Sequence, residues 1–348
     1  MKVFFFALGL YSILVTILPF IKSDRWWIRI LDYPRFQVMG LALISLVGYI
    51  FFIHSFDIWN IAFIILLCSC ILYQSIVIVP YTVVYKNQVK SSKNPPKESV
   101  FSLLVANVLM TNRSPEKILK FISHCDPDII LAVETDSWWQ QQLNMLEKEY
   151  PYTILYPLNN TYGMLLYSRL ELRKCKINFL VEPDIPSIFT RVVLKNGEEI
   201  DLYGLHPSPP IPGENLRSTE RDAELLIVGK AVKKENRPVI VAGDLNDVAW
   251  SYTTKLFQKI SGLLDPRIGR GLFNTFNAKY PLLRWPLDHV FHSSHFLVIQ
   301  LERLEYFGSD HFPIYIKLHY DPTAALVQEE PSADKGEQAE AEEKIEKV

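Results

Sequence analysis

The sequence predicts an α/β domain of two mixed sheets packed face to face with helices outside them, preceded by membrane-spanning helices. Two observations predict the sandwich. After residue 98, apolar strand-like runs alternate with helical patterns, yet some neighbouring runs are joined by tight turns, of which Asn196-Gly197 is the clearest hairpin signal. The order is therefore neither strictly βαβ nor all-β. A third observation predicts the membrane part: 49% of the 348 residues are hydrophobic, and the excess is gathered before residue 81.

The N-terminal part reads as three apolar stretches, Val3–Ile21, Phe36–Ile53 and Ile58–Pro80. Each is near the ~20 residues a helix needs to cross a bilayer. Trp26, Trp27, Tyr33, Trp59, Tyr81 and Tyr85 flank them as interfacial anchors. The first stretch could instead be a signal peptide, but Lys2 is a thin basic region and no small-residue cleavage site follows. Lys22, Arg25, Arg29 and Arg35 crowd the first connection, and Lys86, Lys90, Lys93 and Lys97 follow the third span, whereas His54–Asp57 has no Lys or Arg. With three spans both basic segments share one side, and the excess of positive charge makes that side, with the domain that follows, cytoplasmic. The basic segments could also lie against anionic headgroups.

Residues 86–97, with Ser91-Ser92 and Pro95-Pro96, read as a linker, residues 98–320 as the catalytic domain and residues 321–348 as an acidic tail. The tail carries nine Asp and Glu against three Lys and no aromatic residue, so it reads as disordered. Cys68 and Cys70 fall within a span, which leaves Cys125 and Cys175, too few for a disulfide framework or a zinc site. Within the domain, strands are expected at Val100–Ala106, Asp128–Val133, Tyr152–Ser168, Leu172–Val181, Phe189–Leu194, Glu199–Leu205, Val239–Ala242, Leu287–Phe291, Phe296–Tyr306 and Phe312–Leu318. Helices are expected from Ser114-Pro115, over Asp136–Lys148 and Gly213–Lys234, and from an N-capping Ser251.

Polar residues stand at the ends of the apolar strands: Asn107, Glu134, His206, Asp244 and Asn246 in Gly243-Asp-Leu-Asn246, Asp288, and Asp310 and His311 in Ser309-Asp-His311. Unpaired buried charge is costly, so a core has no use for them, while metal-assisted hydrolysis does. Mg²⁺ takes oxygen ligands, typically one or two carboxylates. Glu134 is the principal candidate, with Asn107 and Asp310 in support. Asp244 and Asn246, two apart, can face one way and orient water or assist the leaving oxygen, and His206 can donate to phosphate oxygens. For substrate contacts, Arg221 and the loop holding Arg267, Arg284 and Trp285 stand out. His289, His292 and His295 read as structural.

In its ordered motifs the chain resembles the endonuclease/exonuclease/phosphatase superfamily, the deoxyribonuclease-I-like fold, over roughly residues 98–319. The membrane helices lie outside the resemblance and would make it a bacterial-type, membrane-anchored member. The resemblance implies a four-layered sandwich and a hydrolase of phosphate esters using Mg²⁺ or Mn²⁺, with Asp288 fixing the tautomer of His311. The expected activity is attack of water on a phosphodiester or phosphomonoester in a phospholipid headgroup, an inositol phosphate or a nucleic acid. Residues 98–320 are near neutral, which disfavours a non-specific DNA or RNA nuclease. A non-catalytic membrane adaptor would predict losses among the site positions, and none is lost. The spans contain no interior charge that would mark an ion path. No protein partner is inferable.

Overall fold

The computed structural model describes residues 1–348. Three helices at the N-terminus, Lys2–Ile21, Arg35–Phe52 and Ile58–Tyr81, are long and apolar enough to cross a membrane by length and composition. Their regular parts are α1 (Lys2–Ile17), α3 (Arg35–Phe52) and α4 (Ile58–Ile78), with a single turn, α2 (Trp26–Arg29), in the first connection. Asp57 caps α4 by accepting from the backbone N–H groups of Trp59 and Asn60. Gly9 and Gly48 let neighbouring side chains approach: a Cβ on Gly9 would crowd Phe63, and one on Gly48 would run into Phe5.

The following strands build two sheets. The first contains β1 (Val100–Asn107), β2 (Ile129–Val133), β3 (Tyr152–Tyr156), β4 (Met164–Ser168), β10 (Phe296–Arg303) and β11 (Ile314–Tyr320), in the order β10-β11-β1-β2-β4-β3. The second contains β5 (Leu172–Asn178), β6 (Ser187–Val193), β7 (Glu199–Leu205), β8 (Val239–Asp244) and β9 (Asp288–His292), in sequence order. Only β1–β2 and β7–β8 pair in parallel. Successive residues of a strand face opposite sides. Thus Leu103, Val105 and Leu131 meet Leu202, Ile240 and Ala242 in the core between the sheets. Leu104, Ala106 and Ile130 pack outward against α5 (Pro115–Cys125) and α6 (Ser137–Leu143). On the far side, Val239 and Val241 pack against α7 (Thr219–Glu235) and α8 (Tyr252–Ser261). The result is four layers, helices outside two mixed sheets, as the sequence predicts.

Several boundaries differ from expectation. The single strand read over Tyr152–Ser168 is a hairpin, because the chain turns before Gly163, where a Cβ would overlap the Thr135 carbonyl oxygen. The helix expected from Gly213 starts at Thr219, because residues 216–218 instead pair with the first connection: Trp26 N–H donates to Leu216 O and Ser218 N–H to Asp24 O. The segment 86–97 is not a free linker. Val89 is wholly buried in the inter-sheet core, and Lys90 O and Ser92 N–H bond to Val298 on the open side of β10. An unpaired strand edge offers such a template, and this segment covers it.

The acidic tail also departs from the disordered reading. It forms α9 (Lys335–Ile345), started by a reciprocal capping box between Asp334 and Glu337. Ala341 is buried against Leu226, Leu256 and Ile260 of α7 and α8. Basic residues of those helices answer its charge: Lys259 pairs with Glu337 at 2.5 Å, and Lys230 pairs with Glu342. Charge complementarity between distant segments is what a reading of the tail by itself omits.

The apolar helices do not stand apart from the sandwich. Val77, Ile78 and Tyr81 share an apolar cluster with Val248, Ala249, Trp250 and Leu287. Tyr81 hydroxyl donates to Ala249 O at 2.7 Å, and Trp250 Nε1–H to Asp32 O at 2.7 Å. We expect Trp250→Ala to destabilise the full chain by ~3–5 kcal/mol, as for other buried aromatic truncations, read as a lowered unfolding midpoint in detergent. An unchanged midpoint would mean that this joint contributes nothing to the fold.

Candidate active site

The topology brings the polar strand ends to one edge of the sandwich. Asn107 closes β1, Glu134 follows β2, His206 follows β7 and Asp244 closes β8. Asp288 opens the antiparallel β9 directly opposite Asp244, and Ser309–His311 lead into β11, antiparallel to β1. Backbone geometry aims them. Gly243, at φ 141°, allows β8 to pass where a Cβ would overlap Leu205 O. Glu134 and Asn246 take left-handed backbone at φ 58° and 50°, sparsely populated for residues with a Cβ and frequent at functional sites.

Asn107 Nδ2 lies between two carboxylates, donating to Glu134 Oε1 at 2.7 Å and Asp244 Oδ2 at 3.0 Å. His311 Nδ1 bonds Asp288 Oδ2 at 2.7 Å, while its Nε2 lies 3.5 Å from Asp244 Oδ2. His206 Nε2 approaches the same Asp244 oxygen at 4.0 Å, and its Nδ1 has no partner in the protein. Asp310 Oδ1 is buried and also unpartnered. Glu134, His206 and Asp244 form one group of closely spaced ligand atoms, and Asp244, Asp288 and His311 another, with Asp310 in neither.

Burial and mutual repulsion shift the protonation of this cluster. Burial pushes the Glu134 carboxyl up to about 7, against the Asn107 hydrogen bond, with Asp244 and Asp310 adding to the rise. Asp244 is raised by burial and by Asp288, only partly offset by His311, His206 and Asn107. Burial opposes charge on His311, but Asp288 and Asp244 outweigh it and hold the imidazole up to about 10. Burial takes His206 down to about 4, so it is a neutral donor at pH 7.

The donor set fits a hard divalent cation. Carboxylates dominate it, one Asp310 oxygen is unsatisfied, and too few positive groups face the cluster to balance its acids. Glu134, Asp244 and Asp310 could supply oxygens; Asn107 would need its amide turned, since its Oδ1 accepts from Leu109 N–H.

The remaining expected residues fall elsewhere. Asn246 is a brace: its Nδ2 donates to Pro207 O, beside His206, at 2.9 Å. Arg221 is buried, bonded to Asp222 and Asp247, and donates to the Asn246 carbonyl at 2.6 Å. Arg267 is buried in a two-pronged pair with Asp265 and bonds His289 Nδ1. Both arginines therefore support the site from behind, consumed by carboxylates that the sequence places beside them. Arg284 is partly exposed, over the Phe312 ring at 4.9 Å. His289 is held behind the cluster by Asp247 O and Arg267, and His292 and His295 each bond to Ser293. Sequence reasoning missed Ser309 as a bridge, its hydroxyl donating to Asn107 O and accepting from His311 N–H. It also missed Phe276, whose ring lies 4.9 Å from that of His311, and Tyr33, whose hydroxyl donates to Asn246 O at 3.0 Å. The position of Ser309 in its motif was the only signal available; the two aromatics left none.

Residues 104–311 match the sequence profile of the Endonuclease/Exonuclease/phosphatase family. The chain belongs to this family. Its members are hydrolases acting on phosphate esters, and so is this enzyme. No curated protein matches the sequence. Among solved structures, D. rerio TDP2 complexed with single strand DNA product is similar at 19% identity and a TM-score of 0.52, covering 64% of this chain and 99% of that one. A Bacteroides thetaiotaomicron protein of the family aligns at 17% identity and 0.53, over 66% of this chain and 100% of its own. The human Nocturnin catalytic domain aligns at 17% and 0.52, over 64% and 95%. At these identities the likeness is one of fold.

The shifts set a pH dependence. His311 gains stability from its partners fully below its ordinary 6.5, and loses it as pH rises through about 10. Glu134 keeps its proton up to about 7 when folded, against an ordinary 4.5, so folding is progressively penalised between those values. Both slopes run the same way. In EDTA the protein should lose thermal stability from about pH 6 to about pH 9, and added Mg²⁺ should raise the midpoint more at the upper end, because binding displaces protons. Asp288→Asn should lower the His311 pKa measured by NMR; an unmoved titration would contradict the assigned contact.

Proposed function

We propose that this enzyme is a membrane-anchored, Mg²⁺-dependent phosphoesterase, Mn²⁺ serving as an alternative ion. Residues 98–320 would be its catalytic domain and residues 1–85 its anchor. The observation that carries the reading is the series Asp288, His311, Asp244, joined through one imidazole and adjoining Glu134 and Asn107 at the same edge.

Glu134, Asp310 and Asn107 would hold the ion, with Asp244 beside them. Bound there, a divalent cation neutralises negative charge growing on the phosphate oxygens. The protein's own residues do the rest. Asp288 engages His311 Nδ1; without a cation the imidazole carries its proton at pH 7, and a cation offsetting the neighbouring carboxylates would lower its proton affinity so that Nε2 could take a proton from the attacking water. Asp244, on that side of the ring, orients the water. His206, neutral at pH 7, donates a hydrogen bond to a non-bridging oxygen without requiring an anion of its own. Asn246 keeps the His206–Pro207 segment in place through its amide.

Phospholipid headgroups or inositol phosphates fit the proximity of a bilayer. The near-neutral charge of residues 98–320 weighs against a nuclease. Cationic residues around the first connection and after the third span favour a cytoplasmic domain; a reporter fused after Val348 and active only outside the cytoplasm would reverse that orientation.

The decisive assay uses the full chain in detergent with Mg²⁺ or EDTA, offered phosphoinositides, sphingomyelin, DNA, RNA and a chromogenic phosphodiester. Metal-dependent turnover is expected, reduced ~10²–10⁴-fold by His311→Ala or Asp288→Asn, the usual range for a proton-transfer group, and abolished by Glu134→Gln. Turnover that survives Glu134→Gln would remove the assigned metal role.

A further inference from the structure

Beside the catalytic edge, α3, the loop 270–285 and the end of β10 line a second, open concavity of about 1050 Å³. One wall is the start of α3, with Phe36, Gly40, Leu41 and Ile44. These residues run about 12 Å along the helix, from the end that meets the catalytic domain into the apolar stretch. The other wall presents the pair Arg284 and Arg303, with Arg270 turned to Pro266 O and Val89 O, among the apolar Leu272, Phe273, Leu282 and Leu301. Gln37 of α3 ties the walls together, donating from Nε2 to Leu282 O at 2.9 Å.

The two arginines lack what normally accompanies such groups. Their guanidinium carbons lie 4.9 and 4.2 Å from the centre of one ring, Phe312, so like charges converge. Each donates to a backbone carbonyl, Arg284 to Ala278 O and Arg303 to Asn274 O. Neither meets a carboxylate within ion-pair distance, in contrast to Arg221 and Arg267 nearby. Burial lowers the Arg303 pKa, and Arg284 lowers it further, so an anion here would relieve a real cost. Three buried polar atoms of groove-lining residues, Arg284 Nε, Gln37 Oε1 and Asn274 Oδ1, have no partner in the protein. The one carboxylate in the lining, Glu302, is exposed and accepts from Gln300.

Gly40 supplies an independent observation. Gly9 and Gly48 are explained by side chains pressed against them, but a Cβ on Gly40 would meet nothing within 4 Å. Glycine costs a helix about 1 kcal/mol relative to alanine, and here helix packing gives no return. What the absent side chain leaves open is the floor of the groove.

We infer that this groove binds one phosphate-bearing bilayer lipid, its acyl chain along Phe36, Gly40 and Ile44 and its phosphate between Arg284 and Arg303. The inference rests on the membrane reading proposed above, and not on the assignment of the hydrolytic residues. Apolar lining beside paired cations is complementary to an amphiphile, whereas free phosphate would leave the apolar part unused. Phe312 directly follows His311, and Ala278 N–H donates to Asp310 O, so the occupied groove would abut the catalytic edge through one ring and one loop.

The test is native mass spectrometry of the full chain in mild detergent, titrated with phosphatidylglycerol, with diacylglycerol of the same chains, and with inorganic phosphate as competitor. One phosphatidylglycerol should be retained, diacylglycerol should not, and inorganic phosphate should not displace the lipid. Gly40→Leu and Arg303→Gln should each weaken retention at least about tenfold (about 1.4 kcal/mol), with thermal unfolding confirming that each variant is folded. Glu134→Gln should retain the lipid whatever its hydrolytic activity, which separates failure of the groove from failure of the proposed chemistry. Unchanged retention in a folded Gly40→Leu or Arg303→Gln protein overturns the inference, as does equal retention of diacylglycerol. Displacement by inorganic phosphate would also overturn it, leaving an anion site with no role for α3.

Discussion

The candidate catalytic edge depends on one electrostatic constraint: carboxylates are gathered where water cannot screen them. Asp244 and Asp288 are almost wholly buried, and Glu134 is only partly accessible. Such groups persist only if hydrogen-bonded or matched by opposite charge. Asn107 spans two of them, His311 lies between two, and a backbone N–H meets Asp244 Oδ1. The raised proton affinities of Glu134 and His311 measure what is left uncompensated. A cation is the remaining answer, so the stress that makes the edge costly also makes it receptive.

The same constraint recurs one layer back. Asp222 and Asp247 are buried beneath the Asn246 turn with Arg221 between them, and Arg221 and Tyr33 both hold the carbonyl of Asn246. Tyr33 comes from the connection between the first two apolar helices. The Asn246 turn is therefore fixed by groups from the hydrolase fold and from the N-terminal segment together, and the segment between Leu245 and Trp250 lies against α4 and the turn that ends it.

Much of the fold was legible because it rests on local signals. The continuous apolar run Val100–Ala106, the Asn196-Gly197 turn, and abrupt polar residues after apolar runs all report on their own neighbourhood. The strand ends that form the cluster, Asn107 through His311, were legible for that reason. What escaped turns on which neighbours a side chain or segment actually meets, whether near or far in sequence. Arg221 and Arg267 look like substrate contacts until Asp247, Asp222 and Asp265 are seen to enclose them. The segment 86–97 looks like a linker until the edge of β10 is seen to need covering, and the tail looks disordered until the lysines of α7 and α8 are seen to face it. Composition describes a segment's own preferences; it does not describe the surface awaiting it.

One contact of the C-terminal helix reaches the Asn246 turn through a chain of charges. Lys344 Nζ meets buried Asp222 at 2.8 Å, Asp222 pairs with Arg221, and Arg221 grips the Asn246 carbonyl. Tyr33 and Lys344 thus reach the Asn246 turn from segments on either side of it in sequence, one directly and one through Asp222 and Arg221. The turn is clamped between two parts of the polypeptide that lie outside the sandwich, and its order depends on both as well as on the strand that carries it.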